Sequence, residues 1–193
     1  MLGRMKAAPD TRKAILKRAE RYLQDAGFAN FSFRDLAADL GIKSASVHYH
    51  FPSKEDLGVA LLQRYHEQFA RWAESRKNSG SPKSDLLEWF KYEQHICHSG
   101  NICPIGAFGT EFTALPMRVR QALEKFHDIQ RRWMCATLRA GRKLGEIRDE
   151  GRIEDQAEMI MAALQGGLKI ARVSGDPKRF EGMLQQLKVM LFT

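Results

Sequence analysis

Apolar residues recur every three or four positions along almost the whole chain, which is the spacing of one face of an α-helix. Within residues 10–26, for instance, Ile15, Ala19, Leu23 and Ala26 fall on a single face. No segment shows the sustained alternation of apolar and polar residues that a half-buried strand requires. The pattern therefore predicts an all-α protein, with a compact three-helix unit followed by a larger helical bundle.

Serine and glycine residues predict where several of these helices begin and end. Ser32 is followed three residues later by Asp35, which is the pattern of a capping box, and Ser53 precedes an acidic first turn that includes Asp56. Gly41 stands where the second helix ends. About nine helices are predicted in this way, at residues 10–26, 32–40, 44–51, 53–76, 84–97, 104–113, 116–143, 153–173 and 176–192.

A glycine separates the second and third predicted helices, both of which are short. Gly41 tolerates the left-handed backbone that a sharp turn needs, and Ile42 and Val47 are placed to hold one helix against the other. Two helices joined in this way form a helix-turn-helix, whose second helix fits the major groove of DNA. The pattern leaves a set of mainly small, hydroxyl and aromatic side chains on the outer face: Lys43, Ser44, Ala45, Ser46, His48, Tyr49 and His50.

These outward side chains have two interpretations. Hydroxyls, imidazoles and a phenol are suited to phosphate and base-edge contacts, and Lys54 at the start of the next helix is placed to reach a backbone phosphate. Helix–glycine–helix patterns are also common without DNA binding, and the same residues would then only solvate one face of a small helical domain. The pattern by itself leaves both interpretations open.

From Arg12 to Leu57 the chain resembles the tetracycline-repressor (TetR) family of bacterial regulators. The segments that carry the resemblance are ILKRAERYLQDAGF at residues 15–28, FSFRDLAADLGI at 31–42 and SASVHYHFPSKEDL at 44–57. The resemblance implies a homodimeric repressor that binds a short palindromic operator in double-stranded DNA, and a small-molecule effector in the C-terminal bundle that releases the DNA. It implies a DNA-binding domain at residues 1–56 and an effector-binding and dimerisation domain at 57–193.

Carried over by position, the resemblance implies a recognition helix at residues 44–50. The residues expected in the groove are Ala45, Ser46, His48 and Tyr49, and those expected at phosphates are Arg34, Ser44, Tyr49, His50 and Lys54. Two positions depart from the family pattern. Lys43 stands where many members have a capping serine, so we expect the cap to move to Ser44. His48 replaces the more usual tyrosine, so the base preference does not transfer.

A second candidate site begins where Cys103 directly precedes Pro104. Proline favours the first position of a helix, so the Cys103 sulfur is predicted at a helix N-terminus, where free amides and the dipole stabilise a thiolate that oxidants or electrophiles attack. The segment CPIGAFGTEFTALP is similar to a Cys-x-x-Gly-Asn segment in a branch of the family, some of whose members sense reactive small molecules through cysteine. Here Ala107 stands in place of the asparagine, and Cys97 is a candidate resolving thiol. The alternative is a buried Cys103 with an inert thiol.

Aromatic residues of the C-terminal half are candidates for an effector pocket: Trp89, Phe108, Phe112 and Trp133. At helical spacing such residues more often belong to an ordinary core, so both assignments stay open. Four residues with metal-binding side chains also lie close together in sequence: His95, Cys97, His98 and Cys103. Their spacing matches no standard zinc pattern, and we predict neither a metal nor a cofactor.

The last two predicted helices are the candidate dimer contact, because the resemblance implies that this pair packs against its twin. Gly166 and Gly167 lie in mid-helix, where each costs about 1 kcal/mol relative to alanine, and close approach of another backbone would compensate. A kink without a partner is the alternative. A dimer reads two half-sites, which increases both affinity and specificity.

Composition adds limits to this picture. Lys and Arg number 31 against 23 Asp and Glu, and the resulting net charge of +8 suits a polyanionic partner but is shared by many proteins. With three cysteines, no signal core and no apolar run of about 20 residues, we expect a cytoplasmic protein without a membrane span. We find no nucleophile–base–acid set and no phosphate-binding glycine loop, so an enzyme is not predicted. An all-α enzyme or small-molecule carrier without DNA binding is the alternative.

Overall fold

The computed structural model describes residues 10–193 and confirms the all-α prediction. Residues 1–9 of the predicted DNA-binding domain lie outside the described part. The described residues form nine α-helices and no β-strand, with one isolated antiparallel bridge between Ile147 and Phe192. The helices are α1 (Thr11–Ala26), α2 (Phe33–Leu40), α3 (Ser44–His50), α4 (Lys54–Arg76), α5 (Pro82–His98), α6 (Pro104–Gly109), α7 (Met117–Lys143), α8 (Ile153–Ser174) and α9 (Pro177–Leu191).

Side-chain caps fix the starts of two N-terminal helices, as the sequence predicts. At α2 the Ser32 N–H donates to the Asp35 carboxylate at 2.7 Å, and the Asp35 N–H donates to the Ser32 hydroxyl at 3.3 Å. Ser53 and Asp56 form the same reciprocal pair at the start of α4, with both distances at 3.1 Å. Two capping boxes therefore set the direction in which α2 and α4 leave their preceding turns.

The segment at residues 104–113 differs from the prediction because it is not one helix. α6 ends at Gly109, and a separate 3₁₀ turn follows at Phe112–Ala114. Glycine has a low helix propensity, and the Thr110 hydroxyl donates to the carbonyl of Ala107 at 2.8 Å, which occupies an acceptor that a continuing helix would use. α6 is therefore only six residues long.

Two buried clusters hold the helices together. The first joins α1–α3 to the N-terminal half of α4 and to α6 and α7, and it includes Phe28, Leu61 and Phe108. The second joins α5, α7, α8 and α9 around residues such as Phe90 and Met134. α4 runs through the predicted boundary between residues 56 and 57. Since the first cluster also includes residues of α6 and α7, the helix-turn-helix unit packs directly on the bundle.

Candidate functional site

The turn between α2 and α3 is tight, and one of its residues has a left-handed backbone conformation. Gly41 adopts φ 63° and ψ 32°, and the Ile42 N–H donates back to the Ala37 carbonyl at 3.0 Å. Val47 is completely buried in the first cluster and fixes the inner side of α3. The expected shift of the cap to Ser44 is wrong. Lys43 occupies the N-cap position without a side-chain hydrogen bond, because Ser44 already lies inside the helix.

The outer side of α3 presents side chains that the core does not use. Exposed there are Lys43, Ser44, Ala45, His48 and Tyr49, while Ser46 and His50 are half-buried. Tyr49 is 84% exposed, which is unusual for an aromatic side chain that contributes to packing. The His48 ring is held edge-on against Phe33, with the centroids 4.8 Å apart. Arg34 is also exposed, in the first turn of α2.

Lys54 differs from the expectation that its ammonium faces a phosphate. Its Nζ donates to the Ala29 carbonyl at 3.0 Å and lies 4.6 Å from the ring centroid of Phe31 and 5.1 Å from that of Phe28. Burial lowers the pKa of this ammonium. Lys54 therefore connects the loop between α1 and α2 to the start of α4. Its ammonium group already has partners within the chain, which are the Ala29 carbonyl and the two rings.

A cavity of about 270 Å³ lies in the bundle, between α4, α5, α7 and the start of α6. Its lining is mainly aromatic: Tyr65, Phe69, Trp72, Trp89, Tyr92 and Phe126, together with Pro104. The remaining lining residues are polar or contain sulfur: Gln68, Glu93, Cys103 and Gln130. Such a mostly apolar cavity with a few convergent polar groups is typical of a small-molecule site.

Glu93 is a polar residue of this cavity that was not among the predicted site residues. It is 2% exposed, its Oε1 accepts a hydrogen bond from the Trp89 indole N–H at 2.9 Å, and its Oε2 has no hydrogen-bond partner among the described residues. Burial raises the pKa of Glu93 to about 7, and the bond from Trp89 opposes the rise. The signal in the sequence is an acid on the apolar face of α5, in register with Leu86 and Phe90.

Cys103 lines the same cavity and is buried there, which corresponds to the second of the two alternatives given for it. It is the N-cap of α6, as expected, yet it is 4% exposed, and burial together with the charge of Glu93 raises its pKa to about 12. Hydrogen bonds from Gln165 and from the first turn of α6 oppose this shift without overcoming it. Of the two interpretations, the structure therefore favours the buried thiol over the thiolate, because burial outweighs the amides of a six-residue helix.

Cys97 and Cys103 line different openings of the protein. All three cysteines are free, and Cys97 lines a separate cleft formed with residues of α8, including Leu168 and Arg172. Burial raises the pKa of Cys97 as well. In the described residues no group of three or more histidine, cysteine, aspartate or glutamate side chains is arranged to hold a metal ion.

The four aromatic candidates for the effector pocket separate into two places. Trp89 lines the cavity, and Trp133 packs against it with the ring centroids 4.8 Å apart. Phe108 instead packs on Phe28 in the first cluster, at 5.2 Å between centroids. Phe112 lies at a shallow surface depression on the other side of α6. The structure therefore does not bring Phe108 and Phe112 to this cavity, because α6 ends before Phe112 and turns Phe108 towards α1.

Two of the polar links between the bundle and the helix-turn-helix unit come from the ends of α6 and α8. Glu111, just after α6, accepts a hydrogen bond from the Ala29 N–H at 2.8 Å. Arg172, near the end of α8, donates to the carbonyls of Gln24 at 2.9 Å and Asp25 at 3.1 Å, at the C-terminal end of α1. α6 thus has cavity residues at its start and a contact to the helix-turn-helix unit after its end.

α8 and α9 leave apolar side chains outside both clusters. On α8 these are Met159, Ile170 and Val173, and on α9 they are Val189 and Met190. The α8 residues recur at helical spacing and form one stripe, on which Val173 is 90% exposed. Exposed apolar side chains on two neighbouring helices are a candidate surface for contact with another chain.

Of the two glycines in the middle of α8, one allows a close contact with α9 that offsets its low helix propensity. A Cβ added at Gly167 would lie 2.5 Å from Met183 Sδ and 2.8 Å from Phe180 Cδ2, both on α9. Gly166 has open space around its Cβ position. The expected close approach thus occurs at Gly167, where side chains of α9 take the place of a backbone.

Comparison with known proteins gives matches over both parts of the chain. A family model described as "Bacterial regulatory proteins, tetR family" matches residues 15–61, and one described as "Tetracyclin repressor-like, C-terminal domain" matches residues 86–187. The chain is 24% identical to the HTH-type transcriptional repressor NemR of Escherichia coli (strain K12), over 95% of each chain. It is 24% identical to the transcriptional regulator AcuR of Cereibacter sphaeroides, over 91% of this chain and 84% of that one.

Solved structures show the same architecture. A TetR transcriptional regulator from Legionella pneumophila is 30% identical and superimposes with a TM-score of 0.85, over 97% of this chain and 100% of that one. A TetR-family regulator from Agrobacterium tumefaciens is 28% identical, with a TM-score of 0.88 over 94% of this chain and 97% of that one.

Among the described helices, none is long and apolar enough to cross a bilayer.

Proposed function

Because the chain belongs to the TetR family of bacterial regulatory proteins, we propose that it is a homodimeric repressor that a small molecule releases from its operator. The family consists of DNA-binding transcriptional regulators, and both curated relatives are regulators of transcription. The proposal has three parts: α3 reads DNA, α8 and α9 pair two chains, and the aromatic cavity binds the effector.

The observation that carries DNA reading is the outer face of α3. Val47 anchors the inner side of this helix, so the exposed side chains are held in fixed positions and contribute little to folding. Tyr49 is the clearest example, since a ring that is 84% exposed contributes little to the core and remains accessible to DNA. A rigid helix with small, hydroxyl and aromatic groups on its outer face fits the major groove.

We assign the roles of these residues in two groups. Those facing base edges are Ala45, Ser46, His48 and Tyr49, and those facing phosphates are Arg34, Lys43, Ser44, Tyr49 and His50. Lys54 is given a supporting role, because its ammonium binds the Ala29 carbonyl and fixes the loop in front of α2. We keep the functional division at residues 1–56 for DNA and 57–193 for effector and partner.

The proposed dimer surface is the apolar stripe on α8 together with Val189 and Met190 of α9. Burial of these side chains against a second copy would remove from water the largest apolar groups that the C-terminal helices expose. Arg172 lies on the same helix as the stripe and binds the end of α1, so dimer contact and DNA-reading unit are joined through one helix.

Release of DNA is proposed to pass through α6. A ligand in the cavity would contact Pro104 at the start of α6, and Glu111 after its end holds the Ala29 N–H. A displacement of this short helix would move the α1–α3 unit relative to the dimer surface. Two α3 helices that no longer match the spacing of the half-sites lose the joint binding on which affinity depends.

The test measures the affinity of the full-length protein for DNA fragments from its own genomic neighbourhood. Fluorescence anisotropy of the labelled fragments gives this affinity at increasing salt concentrations. Tyr49→Ala is expected to weaken specific binding about tenfold or more, because it removes a groove contact. Arg34→Ala is expected to reduce the salt slope by about one, as for one lost phosphate contact. Arg132→Ala is the control, since Arg132 is an exposed arginine of α7 that pairs with Asp128.

Two results would overturn the DNA-binding part of the proposal. One is the absence of any fragment bound more tightly than unrelated DNA. The other is unchanged affinity and salt slope in both Tyr49→Ala and Arg34→Ala. Because both side chains are exposed, their substitution should leave the melting temperature unchanged, so a loss of binding is not a loss of folding.

A further inference from the structure

We propose that the cavity selects a small organic cation with apolar substituents, such as a quaternary ammonium ion, with its charge facing Glu93 and its substituents against the aromatic rings. This inference rests on the proposed function only in treating the cavity as the effector site. Binding of the cation itself requires no DNA. The inference narrows the effector from any small molecule to one chemical class.

The first argument is a buried carboxyl group without a counter-charge. Glu93 is 2% exposed, and the hydrogen bond from Trp89 leaves Oε2 without a partner among the described residues. The residues that line the cavity include no lysine, arginine or histidine. An ionised carboxylate in such a place is costly unless it is paired, so a cation that enters supplies the interaction that the protein leaves open.

The second argument is the chemistry of the walls. Phe69, Trp72 and Trp89 form a continuous set of rings with centroids 5.6 to 6.3 Å apart. The face of an aromatic ring attracts a cation, tryptophan most strongly, and the attraction increases when water is excluded. A neutral apolar molecule would match these walls and leave Glu93 unpaired, while an anion would be repelled. The volume of about 270 Å³ is small, which favours compact ions.

The rival ligand is a neutral hydrogen-bond acceptor that meets a protonated Glu93. Burial raises the pKa of Glu93 to about 7, so both protonation states are present near neutral pH. The other titratable side chains of the cavity are Tyr65 on α4, Tyr92 on α5 and Cys103 before α6, and burial raises the pKa of each. None of them supplies a positive charge, and from α7 the polar lining residue is the uncharged Gln130.

The experiment compares a cation with its neutral isostere. The full-length protein is titrated calorimetrically at pH 8, where the Glu93 carboxyl is mostly ionised, with choline and with 3,3-dimethylbutan-1-ol, in which carbon replaces the quaternary nitrogen. Tetraethylammonium serves as a bulkier cation. All three tryptophans lie in this ring cluster, so their fluorescence gives an independent signal. We expect at least one of the two cations to bind roughly tenfold or more tightly than the alcohol.

The variants test where the preference comes from. Glu93→Gln keeps the shape and removes the charge, so the preference for the cation should fall to the smaller part that the aromatic rings supply by themselves. Glu88→Gln is the matched control, since Glu88 lies on the same helix and pairs with Lys91 at the surface. Trp89→Phe removes the indole N–H and a strong cation–π face while keeping the carboxylate, so affinity for the cation should fall and the preference over the alcohol should remain.

Each outcome decides the inference. Equal affinity for the cations and the alcohol overturns it, and so does a preference for the cation that is undiminished in a folded Glu93→Gln protein. Failure of both cations to bind a protein that still binds DNA overturns it while leaving the proposed function intact. Selective cation binding by a protein without specific DNA binding supports the inference and counts against the proposed function.

Discussion

The indole N–H of Trp89 donates a hydrogen bond to Glu93 Oε1 across 2.9 Å, one turn further along α5. The bond stabilises the carboxyl group inside the cavity but satisfies only one of its two oxygens. Since burial raises the pKa of Glu93 from 4.5 to about 7, the folded protein binds the proton of this group more tightly than the unfolded chain does.

The first prediction concerns stability against pH. Between about pH 4.5 and 7 the folded state binds more protons at Glu93 than the unfolded state, so this group contributes stability below pH 4.5 that is lost as pH rises through 7. Glu93→Gln does not titrate. Its free energy of unfolding should therefore rise relative to wild type as pH increases, by about 3 kcal/mol at pH 8 compared with pH 4. Urea denaturation at a series of pH values measures this difference.

The control for this prediction is Glu88→Gln, on the exposed side of α5, which should show no comparable gain between pH 4 and pH 8. The amide that Glu93→Gln introduces would add an offset that does not depend on pH. A difference between Glu93→Gln and wild type that stays constant across the pH range would show that the carboxyl group is not desolvated in the folded protein.

The second prediction concerns the contact between α8 and α9 at Gly167. Alanine there would press against the completely buried Phe180 ring, so Gly167→Ala should lower the free energy of unfolding by about 1–3 kcal/mol. Gly109→Ala is the matched control, because Gly109 is exposed and its Cβ position is open. That variant should be neutral or gain up to about 1 kcal/mol from helix propensity. Equal denaturation midpoints for the two variants would contradict the close approach.

The sequence predicts those features that depend on neighbours along the chain. The capping box at Ser32, the helix start at Ser53, the left-handed turn at Gly41 and the inner position of Val47 each depend on residues within one or two turns. The exposure of Tyr49 follows from the same register, because the residue falls on the opposite side of α3 from Val47.

Features that depend on contacts between distant segments were not predictable. Cys103 has the local sequence of an activated thiol, but α5 and α8 bury it and place Glu93 and Gln165 beside it. Lys54 has the local position of a phosphate ligand, but the loop before α2 supplies a carbonyl and two rings that hold it. In both cases tertiary packing determines the environment of the ionisable group, and the helical pattern of the sequence does not predict which distant residues supply it.

The third prediction concerns the link between α6 and the DNA-reading unit. Glu111→Ala removes the acceptor of the Ala29 N–H, a hydrogen bond to a charged group across 2.8 Å. Hydrogen exchange of the backbone around Ala29 should accelerate, and affinity for specific DNA should fall by about fivefold, because one of the polar contacts that hold the α1–α3 unit on the bundle is lost. Glu124→Ala on α7 is the control. Unchanged exchange at residues 27–31 would show that this contact does not hold the loop.

The last prediction concerns the apolar stripe on α8. Ile170→Glu combined with Val173→Glu places two like charges on the proposed dimer surface, and both positions are exposed in the single chain, at 56% and 90%. The helical circular dichroism should therefore be kept, while sedimentation velocity should show a monomer and specific DNA binding should weaken at least about a hundredfold, since one recognition helix loses its linked partner. Met117→Glu is the matched control, because Met117 is a similarly exposed apolar residue of α7, at 69%. A dimer that persists in the double variant would place the contact between copies on another surface.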